Sequence, residues 1–269
     1  MAKHIIDANY EREHLVDWLK NYFIENGSVD TKAVIGISGG KDSTVAAALL
    51  CRALGPERVI AVLMPNGEQP DIDDSYAICE ALHIPSENIW TINISEAVNA
   101  CIGTMGYFND TIMTNTPARV RMIMLYQVAA VVGGRVCNTG NASELYIGYT
   151  TKYGDLAGDF APLRHYFVRD IVAIGLTMPE IPKYLVTKTP GDGMCGCTDE
   201  AALGFSYETL DAFLIDKVTP DYSIQREIER RHNMNNHKKC INLPAPLYYS
   251  RHEEGKEWKP QSTEYEFWF

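Results

Sequence analysis

The 269-residue sequence has no excess of basic residues. Its 24 lysines and arginines are outnumbered by 35 aspartates and glutamates, which gives a formal net charge of −11 at pH 7. General binding to nucleic acid or to an anionic membrane needs a surplus of positive charge. We therefore expect neither nucleic acid nor a membrane as a partner. A small polyanionic ligand in a locally positive pocket stays compatible with this charge balance.

The sequence also lacks long hydrophobic runs. A membrane span needs roughly 18 consecutive apolar residues, whereas the longest candidate, residues 122–134, is shorter and is typical of a buried helix. The N-terminal residues do not combine a basic segment, an apolar core and a small-residue cleavage site, so no secretory leader is predicted. Seven scattered cysteines, an odd number, favour a reduced, cytoplasmic protein over a disulfide-bonded one.

Zinc-type cysteine spacing is missing as well. The only close pair, Cys195-Gly-Cys197, has neither the two-residue spacer nor the second pair of a zinc site. A metal or redox role for this pair is therefore less favoured than a plain loop. Low-complexity tracts, repeats and linkers are absent from the first 185 residues, so we expect one domain over residues 1–269.

What the sequence does contain is an alternation of short apolar runs and helical patterns. The predicted strands cover residues 33–37, 59–64, 89–94 and 135–138, and the predicted helices cover residues 10–24, 44–54, 72–82 and 117–132. Such alternation, with connections long enough for crossovers, predicts an α/β fold. We expect a doubly wound, open parallel sheet with helices on both faces.

The second half of the chain is more polar. Residues 146–162 are rich in glycine, and residues 187–198 (TKTPGDGMCGCT) are predicted to form a mobile loop. Helices are predicted over residues 207–213 and 223–233. The last 30 residues are aromatic and interrupted by prolines, which indicates irregular structure.

A glycine-rich motif lies directly between the first predicted strand and the next helix: residues 38–43, SGGKDS. Ligands of open parallel sheets bind at the carboxyl ends of the strands. Two adjacent glycines expose backbone N–H groups, and a helix N-terminus adds positive potential. The motif therefore predicts a phosphate-binding loop, in which Asp42 can hold a divalent cation. A glycine-rich turn with a serine cap is the plain alternative.

Three further polar runs follow in order: residues 115–121 (NTPARVR), 139–144 (TGNASE) and 148–155 (GYTTKYGD). The first opens the long predicted helix, and the second follows the fourth predicted strand. Arg119 and Arg121 cannot share one helical face, so at least one is predicted to point into the cleft. For the third run, a solvated pair of Lys152 and Asp155 is the simpler alternative.

The hexapeptide SGGKDS resembles the signature of the ATP pyrophosphatases, also called adenine nucleotide alpha hydrolases. Together with the three later runs, the chain resembles the ammonia-dependent NAD synthetases over about residues 35–244. The resemblance implies ATP-dependent amidation of deamido-NAD to NAD through an acyl-adenylate, with release of AMP and pyrophosphate. It also implies ATP as co-substrate, Mg²⁺ as cofactor, ammonia as nitrogen source and a homodimer. No glutaminase domain is expected, because only 37 residues precede Ser38.

The same resemblance implies roles for individual residues. The expected ATP contacts are Gly36, Ile37, Ser38, Gly39, Gly40, Lys41, Asp42, Ser43, Thr139 and Arg169. The expected deamido-NAD contacts are Arg119, Lys152, Asp159, His237 and Lys238, and the expected Mg²⁺ ligands are Asp42 and Glu144. We expect Asp42, Lys152 and Asp155 to be catalytic, with Asp155 accepting a proton from ammonium. Lys41 occupies the variable position of the motif and either helps to bind ATP or faces solvent.

The sequence departs from the family's pattern at two positions. Val168 stands where the family often has lysine, with Arg169 beside it as the expected substitute, and Gly191 stands where a small hydroxyl residue is usual. Asp199-Glu200 matches an acidic pair of the family, although Asp199 as a helix cap is a structural alternative. Two other functions therefore stay open: another amide or thio ligase of the superfamily, or a nucleotide-binding homologue that has lost catalysis.

Overall fold

A computed structural model gives the structure of the chain and describes residues 5–69, 72–188 and 198–238. Its sheet contains four strands, β1 (Lys32–Gly36), β2 (Val59–Leu63), β3 (Ile89–Thr91) and β4 (Gly134–Cys137). They lie in the order β3-β2-β1-β4, and every neighbouring pair is parallel. The predicted α/β fold with an open parallel sheet is confirmed.

The α-helices of these described residues connect and flank the strands. They are α1 (Ala8–Glu25), α2 (Lys41–Leu54), α3 (Ile72–Ala81), α4 (Ser95–Met105), α5 (Asp110–Val132), α6 (Ala142–Ile147), α7 (Val168–Leu176), α8 (Lys183–Thr187), α9 (Asp199–Leu203), α10 (Tyr207–Leu214) and α11 (Tyr222–Met234). Within the same residues, no helix combines the length and the apolar character that crossing a bilayer requires.

Both faces of the sheet are covered, because successive side chains of a strand point to opposite faces. Ala33 and Ile35 belong to a buried cluster with α1, α2, α7 and α8. Val34, between them, belongs to a second cluster with α4 and α5. All five residues of β2 are buried, which explains why that strand is a continuous apolar run without alternation.

A third buried cluster lies beyond the sheet and joins α6, α9, α10 and α11. Its members include Ile147, Leu203, Phe205, Tyr207 and Ile228. Since α6 follows the loop after β4, this cluster packs the second half of the chain against the carboxyl edge of the sheet. That packing is what brings α10 close to the loop after β1.

Several predicted boundaries were wrong. Helix α5 begins at Asp110, not at residue 117, because the Asn109 side chain accepts a hydrogen bond from the Ile112 N–H at 2.8 Å and caps the helix there. Pro117, the predicted first residue of this helix, is buried inside it. Strand β3 ends at Thr91 instead of residue 94, and helices α4, α6, α7 and α8 were not predicted.

Some predictions fall outside the described residues. These are Gly191, Cys195 and Cys197, most of the loop predicted over residues 187–198, and the whole aromatic C-terminal segment, residues 240–269. Cys51, Cys79, Cys101 and Cys137 are described, and each is a free thiol.

Candidate functional site

The topology of the chain creates a crevice between β1 and β4. From β1 the chain proceeds to β2 and β3 on one side, whereas β4 lies on the other side of β1. In open parallel sheets, ligands bind at such a switch point, outside the carboxyl ends of the strands. Strand β1 leads into residues 38–43 and β4 leads into residues 139–144, so two of the predicted ligand loops meet at this crevice.

The loop after β1 is shaped by its serines and glycines. The Oγ atoms of Ser38 and Ser43 lie 3.1 Å apart, and Ser38 Oγ accepts a hydrogen bond from the Gly40 N–H at 3.2 Å. Gly39 has a φ of 72°, a left-handed conformation that favours glycine. Gly40 caps α2 without a side-chain acceptor. The positive end of α2 is therefore directed at the crevice, where an anion would be stabilised.

Lys41 is buried, with 4% of its side chain exposed, so the alternative in which it faces solvent was wrong. Its Nζ lies 2.9 Å from Asp42 Oδ2 and 5.4 Å from the centre of the Tyr207 ring. Burial favours the neutral amine, but the attraction of Asp42 and Glu144 outweighs it, and the pKa of Lys41 is raised. The lysine therefore stays charged inside the site.

Asn141 links the two residues that were predicted to bind magnesium. Its Nδ2 donates to Asp42 Oδ1 at 3.3 Å, and its backbone N–H donates to Glu144 Oε2 at 3.3 Å. The Asn141 side chain also accepts from the Glu144 N–H at 2.9 Å, which completes a capping box at the start of α6. Asn141 was not predicted as a site residue, although the Asn-x-x-Glu spacing indicates this cap.

The two carboxylates form an electrostatic setting that fits a divalent cation. Burial, and then the nearby charge of Asp42, raise the pKa of Glu144 to about 8. A bound cation would relieve this repulsion. In the described ranges, no group of three or more histidine, cysteine or acidic side chains could hold a metal alone. Two carboxylates fit Mg²⁺, whose other positions are commonly filled by water and phosphate oxygens.

A second group of predicted residues also comes together. Lys152 Nζ donates to the His237 carbonyl at 2.8 Å, and Arg119 Nε donates to the Lys152 carbonyl at 3.3 Å. Lys238 Nζ donates to the carbonyls of Gly148 and Thr150 at 2.7 and 2.6 Å. Residues 119, 152, 237 and 238 are thus neighbours although three separate segments supply them. Their contact with a dinucleotide stays a prediction.

Arg121, the other arginine of the long helix, lies at the same edge of the sheet. Its Nε donates to the carbonyl of Met64, directly after β2, at 3.1 Å. Burial lowers the pKa of Arg121. Thr139 lies partly buried between the end of β4 and α6, and Asn138 beside it accepts a hydrogen bond from the Gly140 N–H at 3.0 Å.

Asp155 and Asp159 both accept hydrogen bonds from the backbone. The exposed Asp155 accepts from the Thr151 N–H through Oδ1. Asp159 Oδ2 accepts from the Val136 N–H at 2.7 Å, and its Oδ1 accepts from the Tyr126 hydroxyl at 3.4 Å. Each carboxylate oxygen of Asp159 thus already accepts a hydrogen bond within the protein. To bind a dinucleotide, Asp159 would have to accept a further hydrogen bond.

Arg169 is held by two acidic residues of the second half of the chain. Its guanidinium forms a two-point ion pair with Asp216, with N–O distances of 2.6 and 3.0 Å, and its backbone N–H donates to Asp211 at 3.0 Å. Asp211 also accepts from Ser143 Oγ at 2.6 Å. Nη1 and Nη2 of Arg169 are thus occupied by Asp216, so a triphosphate contact through these two atoms would compete with that ion pair.

A different lysine lies close to the phosphate loop. Lys188 Nζ is 2.6 Å from Asp74 Oδ2, and a Cβ added to Gly39 would be 2.8 Å from the Cβ of Asp74. Lys188 was not predicted, because its partner is 114 residues away and no local spacing indicates the pair.

The alternative in which Asp199 caps a helix was wrong. Thr198 caps α9, because its side chain accepts a hydrogen bond from the Ala201 N–H at 3.2 Å.

Comparison with known proteins adds family evidence to this geometry. The family model described as NAD synthase matches residues 11–243. The NH(3)-dependent NAD(+) synthetase of Thermoplasma acidophilum is 37% identical over 225 residues, which are 80% of this chain and 90% of that protein.

Two solved structures are similar over 91% of this chain and 100% of their own. One is an NMN synthetase from Francisella tularensis, with 31% identity and a TM-score of 0.80. The other is an NH3-dependent NAD synthetase from Campylobacter jejuni in complex with the nitrate ion, with 28% identity and a TM-score of 0.71.

Proposed function

The chain belongs to the NAD synthase family, and from this premise we propose that it converts deamido-NAD to NAD with ATP and ammonia. The observation that carries the proposal is the crevice between β1 and β4. There Asp42 of the SGGKDS loop meets Asn141, which also bonds to Glu144, across the switch point. ATP is the co-substrate that this loop would bind, and AMP and pyrophosphate are the expected by-products.

A free carboxylate is a poor electrophile, so the reaction needs two steps. An oxygen of the nicotinate carboxylate attacks the α-phosphorus of ATP, the bond to pyrophosphate breaks, and an acyl-adenylate forms. Ammonia then attacks the acyl carbon, a carbon–nitrogen bond forms, and AMP leaves with the carbon–oxygen bond electrons. Asp155 is our proposed acceptor for the proton that ammonium must lose before this attack.

The residues of the crevice supply positioning and charge. The backbone amides of residues 38–40 and the N-terminus of α2 would stabilise the charge of the departing pyrophosphate. Asp42 and Glu144 would hold Mg²⁺, which neutralises phosphate charge when it is bound. Arg119, Lys152 and Lys238 would bind the dinucleotide. Their proximity in the structure supports this assignment.

A second candidate substrate is nicotinate mononucleotide. The protein of Francisella tularensis that is called an NMN synthetase has the higher TM-score of the two structures compared above, 0.80 against 0.71. Amidation of a mononucleotide would use the same ATP loop and the same chemistry, and it would differ only in the half of the site that receives the substrate.

The test is a comparison of the two carboxylates under identical conditions. The protein is incubated with ATP, Mg²⁺ and ammonium, together with deamido-NAD or nicotinate mononucleotide, and AMP, pyrophosphate and amide are measured. We expect equimolar AMP and NAD, and a kcat/KM for deamido-NAD at least about tenfold higher than for the mononucleotide. The opposite ratio would favour the second candidate. Nucleotide binding without turnover of either carboxylate would contradict both.

We further propose that two copies of the chain associate through α5. Ile123 and Val131, with exposed fractions of 44% and 73%, lie eight residues apart, with the exposed Gln127 midway between them. This four-residue spacing places them on one side of the helix. Tyr107 and Phe108, before α5, are also exposed, at 73% and 71%. Single exposed apolar residues are common, but a group of them favours an interface.

Replacing Ile123 with glutamate is expected to shift the protein from dimer to monomer, because a charge would be buried without a partner in the proposed interface. Sedimentation velocity measures the change. The matched control is Ile24→Glu at the end of α1, where the isoleucine is even more exposed, at 75%. If both variants remain dimers, the interface does not include α5.

The cellular site that we propose is the cytoplasm. The four described cysteines are all free thiols, which fits a reducing compartment.

A further inference from the structure

Lys41 occupies a position that is unfavourable for a lysine in two ways. It is the first residue of α2, and the N-terminus of a helix carries partial positive charge. It is also almost completely buried, and burying a charge costs free energy unless the charge is paired. A lysine is stable at such a position only if nearby carboxylates compensate for both costs.

The compensation comes from the proposed metal ligands themselves. Lys41 Nζ contacts Asp42 Oδ2 at 2.9 Å, and Asn141 Nδ2 contacts the other oxygen, Oδ1, at 3.3 Å. Both oxygens of Asp42 therefore already have donors. A divalent cation that bound Asp42 through Oδ2 would compete with the ammonium group for that oxygen, because two positive charges so close together repel each other.

Tyr207 holds the lysine in this place. Its ring lies against Lys41 Nζ, 5.4 Å from centroid to nitrogen, within the range of a cation–π interaction. The tyrosine is 2% exposed, and among the described residues its hydroxyl has no hydrogen-bond partner. The ring, not the hydroxyl, is thus the part of Tyr207 that acts on Lys41. The bond from Ser143 to Asp211 ties α10, which begins with Tyr207, to α6, which contains Glu144.

We infer that Lys41 is a tethered cation that neutralises Asp42 and Glu144 while the site is empty and moves to the pyrophosphate end of ATP when metal and nucleotide bind. The inference rests on the proposed function. Lys41 then competes with the free metal for Asp42 and cooperates with it once phosphate is present. Tyr207 is a positioning residue that favours the empty-site arrangement.

This arrangement predicts opposite effects on two affinities when Lys41 is replaced with methionine, which keeps the length and removes the charge. Without nucleotide, Mn²⁺, a spectroscopic substitute for Mg²⁺, should bind about fivefold or more tightly, because a neighbouring positive charge is gone. With saturating metal, pyrophosphate should bind about fivefold or more weakly, since one cationic ligand is missing. Electron paramagnetic resonance measures the first affinity and calorimetry measures the second.

The control variant is Lys32→Met at the other end of β1, where the lysine bonds to the Glu57 carbonyl. It should change neither affinity. Tyr207→Phe keeps the ring and should behave as the wild type. Tyr207→Leu removes the ring and should tighten Mn²⁺ binding in the same direction as Lys41→Met. Far-ultraviolet circular dichroism and thermal unfolding show whether each variant is folded.

The outcomes separate the inference from the function on which it rests. If Lys41→Met leaves Mn²⁺ affinity unchanged or weakens it, while Asp42→Asn abolishes Mn²⁺ binding, then the metal site stands and the role of Lys41 is overturned. If no variant and no wild-type sample binds Mn²⁺ through Asp42, both the metal site and the inference are wrong. Opposite shifts of the two affinities, absent from Lys32→Met, support the inference.

Discussion

Asp42→Asn is expected to lower kcat for NAD formation by at least about 100-fold. The substitution keeps the shape of the side chain and its contact with Asn141, but it removes the charge that would bind Mg²⁺. It also leaves the buried Lys41 without its ion pair. In the proposed mechanism, the loss therefore acts at the phosphate end of the site, where ATP is cleaved and pyrophosphate is released. Production of AMP under saturating substrates is the measurement.

The matched control for this variant is Asp73→Asn. Asp73 is an exposed acid in the first turn of α3, so the substitution makes the same change in net charge outside the crevice. It should alter kcat by less than about twofold. Activity of Asp42→Asn within threefold of the wild type would show that Asp42 is no metal ligand. Thermal unfolding of both proteins separates a catalytic loss from a loss of folded protein.

Gly39→Ala is expected to raise the KM for ATP by more than about tenfold. At a φ of 72°, a residue with a Cβ pays about 1–2 kcal/mol for the left-handed conformation. The new Cβ would also lie 2.8 Å from the Cβ of Asp74 and 3.2 Å from the backbone nitrogen of Ser75. Either the loop or the start of α3 must move, and the amides of the loop would then no longer face the pyrophosphate.

Gly133→Ala is the control that introduces backbone strain without a steric clash. Gly133 ends α5 with a φ of 66°, and a Cβ added there meets no atom within 4 Å. This variant should lose about 1 kcal/mol of stability and keep the KM for ATP. Steady-state kinetics with ATP as the varied substrate compare the two proteins. An equal KM in both would mean that the contact between Gly39 and Asp74 does not shape the ATP site.

The sequence predicted the sheet because its strands are buried on both faces and therefore consist of short apolar runs, as β2 does along its whole length. It also placed residues 38–43 and 139–144 directly after two such strands, and the carboxyl ends of parallel strands share one edge. Neither prediction required a specific side-chain contact. Local pattern and the rules of parallel sheets were sufficient for both.

The interactions that shape the site were harder to predict, because they join segments far apart in the chain. The burial of Lys41 depends on Tyr207 of α10, and the pairing of Lys188 with Asp74 spans 114 residues. The predicted start of α5 was wrong for a local reason. Pro117 is a strong start signal in sequence, but Asn109 capped the helix earlier and the proline was accommodated inside it.

The hydrogen bonds of Asp159 also bear on how two copies of the chain can associate. Strand β4 ends the sheet, and an edge strand with free N–H and C=O groups can pair with a strand of another molecule. Here the Asp159 carboxylate accepts a hydrogen bond from the Val136 N–H, and the Asp159 N–H donates to the Val136 carbonyl at 2.7 Å. The Asn138 N–H donates to the Phe160 carbonyl at 2.8 Å. These backbone groups are no longer open to an incoming strand. A continuous intermolecular sheet through β4 is therefore blocked, so the proposed association of two copies does not run through this edge of the sheet.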